Sequence, residues 1–154
     1  TVKEFLPAML KRNTGHIVTI SSIAGQAGTP GMTHYNASKF ACFGFTESLR
    51  TELKRNKSNV MCTTISPYYV NTGMFDGVET SLLFPILDMK PTVDRMINAI
   101  LQNEQDVTIP WHLGSLNTLS RWVLPAPLFD FASWCLVGWD HVLQPKFKGR
   151  QVAD

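Results

Sequence analysis

Tyr35 and Lys39 stand one helical turn apart in the run Tyr35-Asn36-Ala37-Ser38-Lys39, so a helix there presents both side chains on one face. That pairing can carry chemistry. A phenol titrates near pH ~10 and is a poor base at neutrality, whereas an ammonium fixed beside it favours the phenolate by Coulomb attraction. Proton transfer by a group so placed typically contributes about 10² to 10⁴ in rate. Upstream, His16-Ile17-Val18-Thr19-Ile20-Ser21-Ser22-Ile23-Ala24-Gly25 reads as an apolar strand that ends in hydroxyls and enters a glycine-containing loop. Ser22, at the strand's end, is placed to hydrogen-bond an oxygen that gains or loses a proton. Protonating an oxygen while hydride reaches its carbon is the reduction of a ketone or aldehyde, and the reverse oxidises an alcohol. The trio of Ser22, Tyr35 and Lys39 therefore calls for a hydride partner.

Regular elements must hold these side chains. Val2, Phe5, Leu6, Met9 and Leu10 recur at helical spacing, predicting a helix that stops near Asn13 to Gly15, with Pro7 expected to bend it unless the helix begins close to it. His16 to Ser21 reads as a buried parallel strand and Gly25 to Gly31 as a loop. Tyr35 to about Arg55 is periodic enough for a helix, with Ala37, Phe40, Ala41, Gly44, Phe45, Leu49 and Leu53 paving its buried side. Asn59 to Ser66 reads as the next strand, ended by Pro67. The crevice beyond such strand ends is where ligands bind in open parallel sheets. Tyr68 to Lys90 keeps no periodicity yet is rich in apolar residues, and a loop so long in a compact domain is functional or disordered. A helix over Pro91 to Asn103 and a last strand over Asp106 to Pro110 follow.

The ordered set Ser22, Tyr35-x-x-x-Lys39, Ile65-Ser66-Pro67 and Val70-Asn71-Thr72 resembles the C-terminal half of a short-chain dehydrogenase/reductase. A lone Tyr-x-x-x-Lys is common in helices; the ordered set is not. The runs Phe5-Leu6-Pro7-Ala8-Met9, Ala37 to Ala41 with Gly44-Phe45, and Thr72-Gly73-Met74-Phe75 resemble the family's membrane- and lipid-droplet-associated group, which includes epidermal retinol dehydrogenases and hydroxysteroid dehydrogenases. The resemblance implies an α/β fold: the C-terminal half of a doubly wound, Rossmann-type parallel-sheet domain over 1–110, then an apolar extension over 111–154. It implies NAD or NADP as cofactor and a small apolar alcohol or carbonyl compound as substrate. Tyr35 would be the acid/base, Lys39 would also bind the nicotinamide ribose, and Ser22 would orient the substrate oxygen. Pro67, Val70 and Thr72 would meet the cofactor near the nicotinamide. The loop carrying Met74 and Phe75 would cover the substrate, and Tyr68, where the family often has glycine, would wall its pocket. A homodimer through the Tyr35 helix and a place on the cytoplasmic face of the endoplasmic reticulum or on a lipid droplet are implied as well.

Other features bound this reading. No Gly-x-x-x-Gly-x-Gly turn follows a first strand, and no residue can be assigned to the adenosine ribose, so the nucleotide-binding half and the family's structural Asn are expected upstream of Thr1. The hydrophobic share of 44% is ordinary for a core, and a net charge of +2 gives no field that points to nucleic acid. Cys42, Cys62 and Cys135 lack metal spacing and read as buried thiols, His16, His112 and His141 show no metal spacing, and His34, beside Tyr35, reads as a loop or surface histidine rather than an auxiliary acid/base. The stretch from Trp122 to Trp139 is aromatic and apolar but broken by Pro125, Pro127 and Asp130. A bilayer span wants about 20 apolar residues, so this stretch reads instead as lying at an interface or closing over a pocket. Lys146, Lys148 and Arg150 would suit anionic headgroups. Two rivals use the same residues: a membrane or lipid-droplet coat protein that kept the fold without turnover, and an epimerase or dehydratase. The intact trio argues against the first, and the apolar loop against the sugar-nucleotide site of the second.

Overall fold

Three β-branched runs become strands by pairing with one another. They are β1 (Gly15–Ile20), β2 (Val60–Pro67) and β3 (Asp106–Ile109), all parallel in the order β1-β2-β3. The computed structural model describes residues 1–74, 77, 78, 80 and 84–137. Helix α1 (Val2–Arg12) leads into β1, and parallel neighbours need crossovers, which α2 (Thr33–Arg55) and α3 (Met89–Leu101) supply. Register runs from Gly15 opposite Val60 to Ile20 opposite Ile65, and from Thr64 opposite Asp106 to Pro67 opposite Ile109. The strands therefore end together, and their carboxyl ends share one crevice.

β2 is the central strand and is buried along most of its length, including Ile65 and the hydroxyl residues Thr63, Thr64 and Ser66. Leu49 and Leu53 of α2 pack with Val60 and Cys62 under Val2, Leu6 and Met9 of α1, while Ala99 of α3 packs with Ile65, Val107 and Ile109. Asn13 ends α1 in the left-handed conformation at φ 50°, and its side chain accepts a hydrogen bond from the Asn59 N–H at 2.9 Å. Helix end and strand start are thus tied by one residue.

Several expectations need correction. β1 is half-buried rather than buried, with Ile20 48% exposed, because it lies at an edge of the sheet among the described residues. Helix α2 is rotated relative to its apolar pattern: Ala37, Ala41 and Phe45 are exposed, whereas the polar Asn36 and Thr46 are buried beside Leu49 and Leu53. Hydrogen bonds decide that rotation. Thr46 Oγ1 donates to Thr19 Oγ1 at 2.8 Å, and Asn36 Nδ2 donates to the Ala27 carbonyl at 3.1 Å. Beyond β3 the chain forms two helices, α4 (Trp111–Val123) and α5 (Ala126–Val137), which break at Leu124 and Pro125. Pro127 falls in the first turn of α5, where no intrahelical N–H bond is lost. No helix among the described residues is long and apolar enough to cross a membrane. Cys42 and Cys62 are free thiols, and burial raises the Cys62 pKa. The side chain of Cys135 and residues Phe75, Trp139, His141, Lys146, Lys148 and Arg150 lie outside what the structure describes.

Candidate active site

The carboxyl end of β1 delivers Ser21 and Ser22 into a 3-10 turn (Ile23–Gly25) that lies directly against α2. Ser21 Oγ donates to the Lys39 carbonyl at 2.9 Å. Gly25 permits this approach, since a Cβ there would sit 2.6 Å from both the Lys39 carbonyl oxygen and Ser21 Oγ. On the other side of Tyr35, the bond from Asn36 to the Ala27 carbonyl pins the first turn of α2 to the same loop. These contacts bring Ser22, thirteen residues before Tyr35 in the chain, to the base of the catalytic-type helix.

Ser22 is extended, at φ −164° and ψ 163°, and caps the turn: Oγ accepts from the Ala24 N–H at 3.2 Å and donates to the Pro67 carbonyl at 3.4 Å. Lys39 Nζ donates to the Ile20 carbonyl at 3.2 Å and lies 5.6 Å from the Tyr35 ring centroid. Ser22, Tyr35 and Lys39 line one cavity of about 310 Å³ at the strand ends, together with Pro67, Tyr68, Val70, Thr72 and Met74. Among the described residues no carboxylate lines it. Every site residue singled out from the sequence is there except Phe75, which lies outside the described residues. Thr72 and Met74 sit on its exposed rim, and Thr72 Oγ1 donates to the Val70 carbonyl at 3.4 Å.

The long loop after Pro67 has a closed neck. Val70 bridges Leu87 in parallel fashion, the Asn71 N–H donates to the Leu87 carbonyl at 2.9 Å, and the Leu87 N–H donates to the Tyr69 carbonyl at 2.8 Å. Val78 and Phe84 are buried, so the excursion is anchored by its own apolar residues. Tyr68 is buried against Phe84 and Leu113. It meets Tyr69 edge to face at 4.7 Å between ring centroids.

Tyr69, Met32, Ser21 and Asn36 are site residues that sequence reasoning missed. Tyr69 and Met32 line the cavity, and the Tyr69 hydroxyl contacts Met32 Sδ at 3.8 Å. Burial first, and the neighbouring Tyr35 second, push the Tyr69 phenol up to about 12, while burial raises Tyr68 further still. Both remain protonated donors at neutral pH. The doubled tyrosine after a strand-ending proline was the signal that could have found Tyr69. A larger groove of about 820 Å³ runs between α2 and α4 past Phe40, Phe43 and Leu119, and contains none of Ser22, Tyr35 or Lys39. Among the described residues no cluster of His, Cys, Asp and Glu is placed to hold a metal ion.

A parallel sheet with helical crossovers and a hydroxyl-lined crevice at its carboxyl edge defines the class of open α/β domains that bind ligands beyond the strand ends. Comparison with known proteins narrows this. The family model described as short chain dehydrogenase matches residues 1–82, and the chain belongs to the short-chain dehydrogenase/reductase family. It is 42% identical over 113 residues to the human (Homo sapiens) epidermal retinol dehydrogenase 2, covering 71% of this chain and 37% of that protein. It is 41% identical over 126 residues to the human estradiol 17-beta-dehydrogenase 11, covering 81% of this chain and 41% of that one. The chain thus spans about two fifths of the length of these curated relatives. A short chain dehydrogenase from Burkholderia cenocepacia, solved in complex with NADP, superposes with a TM-score of 0.68 at 23% identity, covering 88% of this chain and 54% of that one. That likeness establishes the Rossmann-like fold.

Proposed function

We propose that the whole protein is an NAD(P)-dependent oxidoreductase that interconverts an apolar alcohol, of the retinoid, steroid or long-chain lipid type, with its carbonyl compound. The observation that carries this reading is the meeting of Ser22 from the end of β1, Tyr35 and Lys39 from α2, and Val70 and Thr72 from the loop after β2 in one crevice. In the reducing direction Tyr35 gives its hydroxyl proton to the substrate oxygen. Ser22 turns its O–H from the long bond to the Pro67 carbonyl toward that oxygen and orients it. Lys39 keeps an ammonium beside the phenolate that results and takes part in holding the nicotinamide ribose.

A dinucleotide fits this site in part. A cavity of about 310 Å³ accommodates only the reacting ends, and its polar lining of ammonium, hydroxyls and strand-end backbone suits a ribose and a carboxamide. When bound, the nicotinamide supplies the hydride. Tyr68, Tyr69, Met32 and Met74 give the rest of the crevice an apolar character that favours greasy substrates. The retinol and estradiol in the relatives' names belong to that chemical class, as the reading requires.

We place the enzyme on the cytoplasmic face of the endoplasmic reticulum or on a lipid droplet, where such substrates partition. We assign its homodimer contact to α2, whose Ala37, Ala41 and Phe45 are exposed. The 154-residue chain alone should neither bind dinucleotide tightly nor turn over. The test is Tyr35→Phe in the full-length enzyme, assayed with NADH and NADPH over a panel of retinoids and steroids. Turnover should fall at least about 10²-fold with cofactor affinity kept; a variant with most of its activity would end this mechanism.

A further inference from the structure

Helix α4 lies across the back of the turn that carries Ser22. Gly114, Asn117 and Arg121, at i, i+3 and i+7, form one stripe along it. A Cβ at Gly114 would sit 2.5 Å from Thr108 Cβ and Oγ1, so the glycine lets α4 settle onto β3. Thr108 Oγ1 accepts from Gln26 Nε2 at 3.1 Å, and the Gln26 carbonyl accepts from Asn117 Nδ2 at 3.2 Å and from Arg121 Nη1 at 2.9 Å. One helix thus occupies both lone pairs of that carbonyl. Gln26 is held through side chain and main chain alike.

The 3-10 turn (Ile23–Gly25) ends at Gln26. The Gln26 N–H donates to the Ile23 carbonyl and the Gly25 N–H to the Ser22 carbonyl, both at 2.9 Å. Ser22 stands at the other end of this single turn. The bonds of its own Oγ, at 3.2 Å from the Ala24 N–H and 3.4 Å to the Pro67 carbonyl, are long for a hydroxyl. The direction of Ser22 Oγ therefore rests on the turn, and the far end of the turn rests on α4.

Arg121 adds a contact that Asn117 does not. Its guanidinium lies 5.4 Å from the centroid of the Phe40 ring, and Phe40 follows Lys39 on α2. One side chain thus spans the junction between the Ser22 turn and the helix of Tyr35 and Lys39. It does so from the groove between α2 and α4, and it does not line the crevice. Arg121 is exposed, and a single surface contact of so long a side chain is worth little, but here two contacts on two elements restrain it together.

We infer that Arg121 is a positioning residue: it clamps the Ser22 turn to α2 from outside the crevice and keeps the Ser22 hydroxyl aimed at the oxygen that Tyr35 protonates. The inference deepens the proposed function and rests on its acid/base reading. Displacing a reacting group by about 1 Å can cost about 10²-fold in rate, so a loosened turn should show in kcat before it shows in binding.

The experiment is a double-mutant cycle in the full-length enzyme: wild type, Arg121→Met, Ser22→Ala and the double variant. Steady-state kinetics use the cofactor and the carbonyl compound that wild type turns over fastest in the retinoid and steroid panel. Arg121→Met should lower kcat about tenfold with Ser22 intact and less than about twofold in Ser22→Ala, with the cofactor KM within about twofold throughout. Hydrogen–deuterium exchange over 22–27 should rise at least about fivefold in Arg121→Met, while β2 exchanges as in wild type. Equal losses of kcat in both backgrounds would make Arg121 merely structural, and unchanged exchange over 22–27 would show that it clamps nothing; either result overturns the inference. A fully active Ser22→Ala would overturn the acid/base role of Ser22, and with it the catalytic use of the clamp, while the exchange measurement, which needs no turnover, still reports the clamp itself.

Discussion

The ammonium of Lys39 lies 5.6 Å from the centroid of the Tyr35 ring while donating a hydrogen bond to the Ile20 carbonyl at 3.2 Å. The second contact gives the first its meaning. A lysine on a helix normally samples many rotamers, but here the end of β1 fixes the charge beside the phenol, and no carboxylate among the described residues lines the crevice to neutralise it.

That geometry predicts the effect of removing the charge. In the full-length enzyme Lys39→Met, which keeps the apolar stem, should lower kcat by about 10² or more and raise the cofactor KM, because the proposed mechanism has one group serve both proton transfer and ribose binding. Steady-state kinetics decide this; an effect confined to KM would remove Lys39 from the proton chemistry.

Gly25 offers a test remote from the reacting groups. A methyl group there would press on the Lys39 carbonyl and Ser21 Oγ, both at 2.6 Å, and neither is the free end of a flexible chain. Gly25→Ala should destabilise the protein by about 1–3 kcal/mol in urea unfolding. It should also reduce turnover in the full-length enzyme by displacing Ser22. Wild-type stability would show that the turn does not rely on this close approach.

The site was more legible in the sequence than the packing around it. Ser22, Tyr35, Lys39, Pro67, Val70 and Thr72 all report to one crevice because parallel strands in register end together, and an ordered motif encodes that directly. The rotation of α2 was not legible. Apolar periodicity favoured Ala37, Ala41 and Phe45, whereas the buried face is set by Thr46 meeting Thr19 and Asn36 meeting Ala27, partners far apart in the chain. Tyr69 escaped notice for a similar reason. Both Tyr68 and Tyr69 line the cavity, held there by backbone bonds between Leu87 and the Tyr69–Asn71 stretch, a contact from well along the chain.

Tyr68 and Tyr69 separate two kinds of wall. The Tyr68 hydroxyl is buried and has no hydrogen-bond partner among the described residues. An unsatisfied buried donor costs about 1–3 kcal/mol, so Tyr68→Phe should leave the unfolding midpoint unchanged or raised. A clear drop in stability would show that the hydroxyl is bonded in solution. Tyr69→Ala should instead enlarge the crevice beside Tyr35 and raise KM for a slender substrate more than for a bulky one.

His16 gives the fold a pH dependence whose sign can be worked out. Its Nε2 lies 2.8 Å from Thr63 Oγ1, and the Thr63 hydroxyl donates its single proton to the Glu104 carbonyl at 2.6 Å. Thr63 can therefore only accept from the imidazole, which fixes the neutral ring with hydrogen on Nε2. Further acid must protonate Nδ1, and burial opposes this, lowering the His16 pKa below its ordinary value of 6.5. The unfolded chain then takes up the proton first. His16 thus contributes stability that is complete above about pH 6.5 and is lost as pH falls through the folded-state value. The ion pair of Glu104 with Arg95 acts lower, since its hydrogen bonds hold the carboxyl below 4.5, so its loss in acid falls in a separate window. Urea unfolding between pH 7.5 and 5 should show falling stability in wild type and a flatter profile in His16→Gln. Identical slopes for the two proteins would mean that the imidazole titrates in the folded chain as freely as in the unfolded one.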